Sequence, residues 1–381
     1  MDSLLERNLL AAPLLTTGGP VDVYSGAARL AATVWASEVK GRDADRDTAI
    51  MFVHPTSNFL GHYMLMPLAE RGYGAIGSTT RYLGADATVV TENCLLDMAS
   101  MIGRLREIGY RKVVLVGNSG GAGIAPYYQA QAQNPTVTDP PGGGPDLTKY
   151  DLPPVDAIVM LNAHPGRATI ICDLLDPAII DERDPLRRSP DLDMFDPRNG
   201  PPYSDEFVEA YRAAQVARNR KISDWALHQL NERPDWPEGL ADLPFVVYGT
   251  NADPRFLDGT LEPSEREIGV SLWGTPAEAN YLPAGPGRFT TTRSWLNQWS
   301  LDHSNGNALR WMPELEVPLL VVYGSGDPIC HPSHARQMHE ASRGTDDDIV
   351  CIKGADHYFK GQPELLAEAC DAIQRWLSKR L

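Results

Sequence analysis

Ser119 lies in a segment that could carry nucleophilic chemistry, because Gly117 and Gly121 flank it two positions away on either side. An aliphatic run at 113–116 precedes the segment, and an alanine-rich stretch through residue 130 follows it. This pattern predicts a strand, a sharp turn and a helix, with the serine hydroxyl standing above the sheet. A serine on so tight a turn has strained backbone angles, and only small flanking residues leave room for neighbouring chains. A glycine-rich turn in which the serine only caps the helix is the alternative interpretation.

A base and an acid for this serine are predicted at two later strand ends. Asp327 follows the apolar run 318–323, and His357 follows the run 349–352. A serine hydroxyl is a weak nucleophile without a base, and an imidazole titrates near neutral pH. The sequence therefore predicts that His357 accepts the Ser119 proton, while Asp327 accepts a hydrogen bond from the other ring nitrogen.

Each of these residues has a second interpretation. Asp253 follows a strand-like run whose sequence is similar to the run before Asp327, so it is another candidate for the acid. Asp327 is preferred because its strand directly precedes the strand of His357. Asp356, although adjacent to His357, is expected to be a loop residue. Asp327 could also belong to a simple turn before a helix, and His357 could be a surface residue.

The elements that would position these side chains alternate between strands and helices. Strands are predicted at 21–24, 30–35, 49–53, 75–77, 113–116, 157–161, 318–323 and 349–352, with helices at 61–71, 92–108, 205–229, 333–342 and 363–377. A charged loop is expected at 40–47. Because most strand runs are apolar on both faces, the sequence predicts a mostly parallel α/β sheet covered by helices on two sides.

The alternation stops between residues 167 and 316, a stretch rich in proline and charge. Six of the eight tryptophans lie there, namely Trp225, Trp236, Trp273, Trp295, Trp299 and Trp311. Large aromatic side chains bury about 150 Å² or more each, so a solvated linker would not carry so many of them. We expect a core domain formed by residues 1–166 and 317–381, with a cap domain formed by 167–316.

The glycine-flanked serine, the Gly-Ser-Gly-Asp segment at 324–327 and the Gly-Ala-Asp-His-Tyr-Phe segment at 354–359 follow one another in a known order. In this order the chain resembles the α/β-hydrolase superfamily over about residues 20–163 and 317–381. The resemblance implies the α/β-hydrolase fold, a doubly wound and mostly parallel sheet. It also implies that a large cap is inserted before the acid-bearing strand and covers the pocket.

The same resemblance implies an oxyanion hole of two backbone donors. One is the Gly120 N–H. The other comes from the loop after Val53, where many relatives carry His-Gly-x, whereas Pro55 stands in place of the glycine here. The second donor is assigned to the Thr56 N–H.

Four further residues are candidates for the pocket. Asn118 precedes the serine, while His54 and His164 each follow a predicted strand. His303 lies in the polar segment 302–305 of the cap and could contact substrate. For the histidines at strand ends, a hydrogen-bonded role in fixing a loop is the alternative.

Composition excludes several classes of function. The net charge of −16 and the pI near 5.0 argue against nucleic-acid and anionic-membrane partners. Five scattered cysteines without a C-x-x-C suggest neither a disulfide framework nor a zinc site. No metalloprotease, P-loop or dinucleotide motif is found, so we expect no metal and no cofactor. The apolar patch at 9–15 lacks a basic flank, and the protein is expected to be cytoplasmic, with a homo-oligomer possible.

The sequence thus predicts a serine hydrolase that cleaves a carboxylic ester of a small-to-medium apolar or aromatic substrate through an acyl-enzyme on Ser119. A lactone, amide or carbon–carbon bond hydrolase, or an acyltransferase, could use the same three residues. A ligand-binding protein with a hydrolase-like fold is the non-catalytic alternative.

Overall fold

A single eight-stranded sheet organises the chain in the computed structural model, which describes residues 5–15, 33–232, 242–283, 285–342 and 346–381. The strands are β1 Leu5–Pro13, β2 Thr33–Gly41, β3 Thr48–Val53, β4 Gly74–Ser78, β5 Lys112–Asn118, β6 Ala157–Leu161, β7 Pro244–Val246, β8 Phe289–Thr291, β9 Leu319–Gly324 and β10 Asp347–Ile352. The sheet order is β1-β2-β4-β3-β5-β6-β9-β10. β2 is antiparallel to both β1 and β4, and the remaining pairs are parallel.

Helices flank the sheet and fill the cap. They are α1 Leu65–Glu70, α2 Thr91–Glu107, α3 Ala125–Gln133, α4 Arg167–Leu174, α5 Asp205–Asn231, α6 Pro276–Tyr281, α7 Thr292–Ser294, α8 Ala308–Trp311, α9 Pro332–Ala341 and α10 Pro363–Leu377. No helix among the described residues combines the length and the apolar character that a membrane span requires.

The central strands are buried on both faces, as the sequence predicts. Along β5, Val113 and Leu115 belong to a hydrophobic cluster with α2, α3 and α9. Val114 and Val116 belong to a second cluster with α1 and α10 on the opposite face. Since neighbouring residues of a strand point to opposite faces, a continuous apolar run is required here. The mostly parallel, doubly covered sheet is therefore confirmed.

The first part of the chain differs from the prediction. The predicted strand at 21–24 and part of that at 30–35 lie outside the described residues. β2 continues to Gly41, so the charged loop is shorter than expected. The apolar patch at 9–15 lies mostly within β1, an edge strand in which Leu10 and Ala12 are buried while Leu9 is exposed. Alternation with a period of two explains why a patch of moderate hydrophobicity forms a strand.

Residues 167–316 contain α4 to α8 and the two-stranded antiparallel sheet β7–β8. A hydrophobic cluster of this segment includes Trp295 and Trp299, both fully buried. Trp311 instead packs against the core, where its ring stacks on Tyr127 of α3 at 4.7 Å. Trp225 is 40% exposed, and Trp236 lies outside the described residues. We refer to residues 167–316 as the cap.

Candidate active site

Ser119 occupies a strained turn at the carboxyl end of β5. Its φ angle is +53°, in the left-handed region that non-glycine residues rarely adopt. A single 3₁₀ segment, Ser119–Gly123, connects the strand to α3. A Cβ on Gly121 would overlap the carbonyl oxygen of Val53, and a Cβ on Gly117 would lie 3.0 Å from the carbonyl oxygen of Gly121. The strand, turn and helix predicted here are confirmed, and the two glycines are required by these close approaches.

Asp327 and His357 form a buried pair at the ends of the neighbouring strands β9 and β10. His357 Nδ1 lies 2.6 Å from Asp327 Oδ2, and both side chains are almost completely buried. The other carboxylate oxygen, Oδ1, accepts hydrogen bonds from the N–H groups of Ile329 and Cys330, each at 2.9 Å. Since Nδ1 donates to the carboxylate, the neutral imidazole carries its acceptor lone pair on Nε2.

Ser119 and His357 line the same cavity, which has a volume of about 300 Å³. Its lining residues from the core include His54, Thr56, Asn118, Ser119, Gly120, His164 and His357. Those from the cap include Arg167, Ile170, Leu272, Trp273, Pro286 and Trp299. The serine and the histidine therefore face one space, whose far side is formed by the cap.

Cys330, which the sequence does not single out, lies among these residues. Its sulfur, an Asp327 oxygen and a His357 nitrogen all lie within 4.8 Å of one another. Burial and the nearby Asp327 carboxylate raise the pKa of the Cys330 thiol well above its usual range, while a hydrogen bond with Ser119 acts in the opposite direction. The thiol thus stays protonated. Because metals bind the thiolate, and because both Asp327 oxygens already accept hydrogen bonds, the group is poorly suited to hold a metal ion.

Asp253 is not a partner of His357. Its carboxylate forms ion pairs with Arg212 and Arg255, at 2.6 Å each. These guanidinium groups hold the pKa of Asp253 far below its usual range. Of the two candidate acids, Asp327 is therefore the one whose carboxylate contacts His357. Asp356 accepts hydrogen bonds from the N–H groups of Tyr358 and Lys360, as expected for a loop residue.

The loop after Val53 corrects the predicted role of Thr56. The Thr56 N–H donates to His54 Nδ1 at 3.1 Å, and the Ser57 N–H donates to the same atom at 2.9 Å. Pro55 has no N–H to donate. The N–H of Thr56 is therefore committed to the His54 ring instead of pointing to the position of an oxyanion. Gly120, the other predicted donor, lines the cavity beside Ser119.

The predicted pocket residues divide into two groups. His54, Asn118 and His164 line the cavity, whereas His303 is not among its lining residues and bonds Ser300 Oγ at 2.9 Å. Both polar atoms of the Asn118 side-chain amide form hydrogen bonds, Oδ1 with His62 Nε2 at 3.1 Å and Nδ2 with the carbonyl oxygen of Leu161 at 2.8 Å. Its role is thus to tie the end of β5 to its neighbours.

Arg167 at the start of α4 is a further lining residue that the sequence does not reveal. Its guanidinium stacks on the Trp299 ring at 4.2 Å and forms an ion pair with Asp86. No local sequence signal identifies Arg167, because its partners are distant in the chain.

Burial, with added repulsion from His334, Arg167 and His357, lowers the pKa of His164 to about 3.

Two curated proteins match a short part of the sequence. No protein-family model matches the sequence. The monoglyceride lipase of Mus musculus is 32% identical over 73 residues, which are 19% of this chain and 24% of that protein. The Rattus norvegicus monoglyceride lipase is 33% identical over 73 residues, with the same coverage. The match thus spans about a quarter of the length of these curated relatives.

Solved structures align over nearly the whole chain. The structure of DcsB in complex with its substrate analogue covers 99% of this chain and 100% of its own, with a TM-score of 0.53 and 11% identity. The monoacylglycerol lipase of Paleococcus ferrophilus aligns over 99% and 100%, with a TM-score of 0.45 and 14% identity. Together with the strand order, the turn at Ser119 and the strand-end positions of Asp327 and His357, the alignment with the DcsB structure shows that the chain has the α/β-hydrolase fold.

Proposed function

We propose that this protein is a serine hydrolase that cleaves carboxylic esters through an acyl-enzyme on Ser119. The observation that carries the proposal is the buried Asp327–His357 pair, whose histidine lines the same cavity as the strained serine. A serine, a carboxylate and an imidazole at the carboxyl ends of three parallel strands of one sheet, β5, β9 and β10, form the arrangement that nucleophilic acyl transfer requires.

The proposed reaction has two acyl-transfer steps, the first to Ser119 and the second to water. Ser119 Oγ attacks the ester carbonyl carbon while His357 Nε2 takes its proton, and the imidazolium then protonates the departing alcohol. A water molecule next attacks the acyl-enzyme, gives its proton to His357 and releases the acid, after which Ser119 regains its proton. Asp327 stabilises the imidazolium in both steps. Because its second oxygen is held by two N–H groups, the carboxylate has a fixed direction.

The backbone N–H of Gly120 is proposed as one donor to the oxyanion. It directly follows the nucleophile at the start of the 3₁₀ segment, where the N–H groups at the beginning of a helix favour negative charge. Each such donor supplies about 3 kcal/mol of transition-state stabilisation.

The cavity supports a substrate of modest size. Its volume of about 300 Å³ lies at the lower end of the range for small-molecule pockets. Apolar and aromatic side chains of the cap, including Ile170, Leu272 and Trp273, contribute to its lining. We therefore propose esters with a short apolar or aromatic group.

A chain-length series of p-nitrophenyl esters, from acetate to decanoate, tests the proposal. Wild-type protein is expected to favour the shorter esters, and Ser119→Ala to lose at least roughly 10³-fold in kcat. Ser378→Ala, at an exposed serine after α10, is the matched control and retains activity. Fluorophosphonate labelling followed by peptide mass spectrometry is expected to place the adduct on Ser119. Near-wild-type hydrolysis by Ser119→Ala would refute the proposal.

Matched lactone and anilide substrates distinguish ester cleavage from the other reactions of this scaffold. Faster turnover of either class than of the esters would redirect the assignment of the bond. An acyltransferase would instead transfer the acyl group to an added alcohol. Mass spectrometry would then detect more of the new ester than competition between the alcohol and water alone would give.

A further inference from the structure

His54, at the end of β3, has a defined tautomer. Its Nδ1 accepts hydrogen bonds from the Thr56 N–H at 3.1 Å and from the Ser57 N–H at 2.9 Å. An atom that accepts from two N–H groups carries no proton, so the proton of the neutral ring lies on Nε2. His54 therefore presents an N–H donor at the far end of its ring.

That donor points toward the nucleophile turn. A Cβ added to Gly120 would lie 2.8 Å from His54 Nε2, closer than to any other atom of the ring. His54 lines the cavity together with Ser119 and Gly120. Within the described part of the chain, His54 Nε2 has no hydrogen-bond partner. The atom is nevertheless accessible to solvent. The Nε2–H is thus directed to the space where a substrate would bind.

The same loop has no free backbone N–H that could serve as the second donor to the oxyanion. Pro55 carries no N–H, and the N–H groups of Thr56 and Ser57 are both bonded to His54 Nδ1. Residues 55–57 therefore offer no uncommitted backbone N–H to an oxyanion. Instead, two backbone N–H groups of the loop hold the His54 imidazole in place.

The charge state of His54 suits a donor. Burial lowers its pKa well below the usual value, and the nearby Arg167, His164 and His357 add to the effect. At neutral pH the ring is neutral. A neutral imidazole with a fixed N–H can polarise a carbonyl without releasing its proton.

We propose that His54 is a catalytic residue whose Nε2–H supplies the second hydrogen bond to the oxyanion, alongside the Gly120 N–H. The inference rests on the proposed serine hydrolase function and assigns a further residue to it. The proton stays on Nε2 throughout, and no bond to His54 is made or broken. Thr56 and Ser57 act through the ring as positioning residues.

The variant His54→Asn separates the donor role from loop support. The asparagine Oδ1 can accept the N–H groups two and three residues later, as His54 Nδ1 does, but the side chain is too short to place a donor at the Nε2 position. With p-nitrophenyl butyrate we expect kcat to fall about 10²–10³-fold, while KM and the melting temperature change little. A kcat within about fivefold of wild type would overturn the proposal.

His54→Gln is the reciprocal variant, which retains a donor and gives up the support of the loop. Its longer amide reaches the Nε2 position but does not accept the loop N–H groups, so stability falls while a donor is retained. A kcat above that of His54→Asn supports the proposal, and a kcat equal to or below it, in a folded variant, overturns it. His228→Asn, at an exposed position of α5, is the matched control and is expected to keep the wild-type kcat.

Ser119→Ala, measured in the same series, distinguishes the two levels of inference. If it abolishes turnover while His54→Asn does not, the hydrolase function stands and the role of His54 is wrong. If wild type hydrolyses none of the esters, or Ser119→Ala hydrolyses them equally well, both are wrong.

Discussion

The Asp327 carboxylate bonds His357 Nδ1 at 2.6 Å with one oxygen and two backbone N–H groups with the other. An amide at this position could keep the backbone contacts through its oxygen, but its NH₂ would then face the ring and favour the wrong tautomer. Asp327→Asn is therefore expected to lower kcat roughly 10³–10⁴-fold with little change in KM. Steady-state kinetics with p-nitrophenyl butyrate measures this. A loss of less than tenfold would contradict the assigned role.

Asp253→Asn provides the complementary prediction, since Asp253 is the other candidate acid and its carboxylate is paired with two arginines instead of His357. Its loss leaves the buried Arg255 guanidinium, and the partly buried Arg212, without a full countercharge. We expect the free energy of unfolding to fall by about 3 kcal/mol, because removing one partner of a buried pair leaves an uncompensated charge. Urea denaturation measures the change, and kcat per folded molecule should stay near wild type. A selective loss of kcat at unchanged stability would reverse the two assignments.

The sequence predicts the turn at Ser119 and the strand ends of Asp327 and His357 because these signals are local. A glycine-flanked serine after an apolar run specifies its own turn, and strand ends of a parallel sheet must share one edge. The choice between Asp327 and Asp253 is not local, since it depends on Arg212 of α5, which lies 41 residues before Asp253. The direction of the Thr56 N–H likewise depends on the position of the His54 ring.

Gly121→Ala is expected to disrupt the nucleophile turn, because a Cβ there would overlap the Val53 carbonyl oxygen. The backbone must move, at a cost of about 1–3 kcal/mol or more, and Ser119 moves with it, so kcat falls as well. Gly103→Ala in α2 is the matched control, since nothing lies within 4 Å of its Cβ. It should stabilise the helix by about 0.5–1 kcal/mol. Thermal and urea denaturation of the two variants tests this contrast. Equal stability of Gly121→Ala and Gly103→Ala would contradict it.

Because two of its buried histidines have lowered pKa values, the folded protein is expected to lose stability on mild acidification. Burial lowers the pKa of His62 to about 4 and that of His164 to about 3, below the usual value of 6.5. Between these limits the unfolded chain binds protons that the folded protein excludes. Stability therefore falls as the pH drops below 6.5, by up to about 1.4 kcal/mol per pH unit for each histidine. Urea midpoints from pH 7.5 to 5 measure the slope.

His164→Asn is the test of that attribution. It removes one of the titrating groups, so the slope of unfolding free energy against pH should flatten by up to about 1.4 kcal/mol per unit. A variant with the wild-type slope would show that His164 does not contribute. A wild-type midpoint that is constant from pH 7.5 to 5 would contradict the prediction for both histidines.

Glu92 on α2 joins the core to the cap, because its buried carboxylate accepts hydrogen bonds from both. One carboxylate oxygen accepts hydrogen bonds from Tyr127 Oη at 2.9 Å and Asn305 Nδ2 at 3.2 Å, and the other accepts from Asn297 Nδ2 at 2.6 Å. All three partners are donors. Glu92→Gln would therefore turn an NH₂ group toward a donor, leaving it unpaired at a cost of about 1–3 kcal/mol.

Because two of the three partners belong to the cap, the glutamine variant should loosen the cap as well as lower stability. Hydrogen exchange is expected to rise in the segment 295–305 before it rises in the central strands, since local opening needs less free energy than global unfolding. Glu107→Gln, at an exposed position near the end of the same helix, is the control and should change stability by less than about 0.5 kcal/mol. Equal exchange in the cap of both variants would mean that Glu92 does not hold the cap to the core.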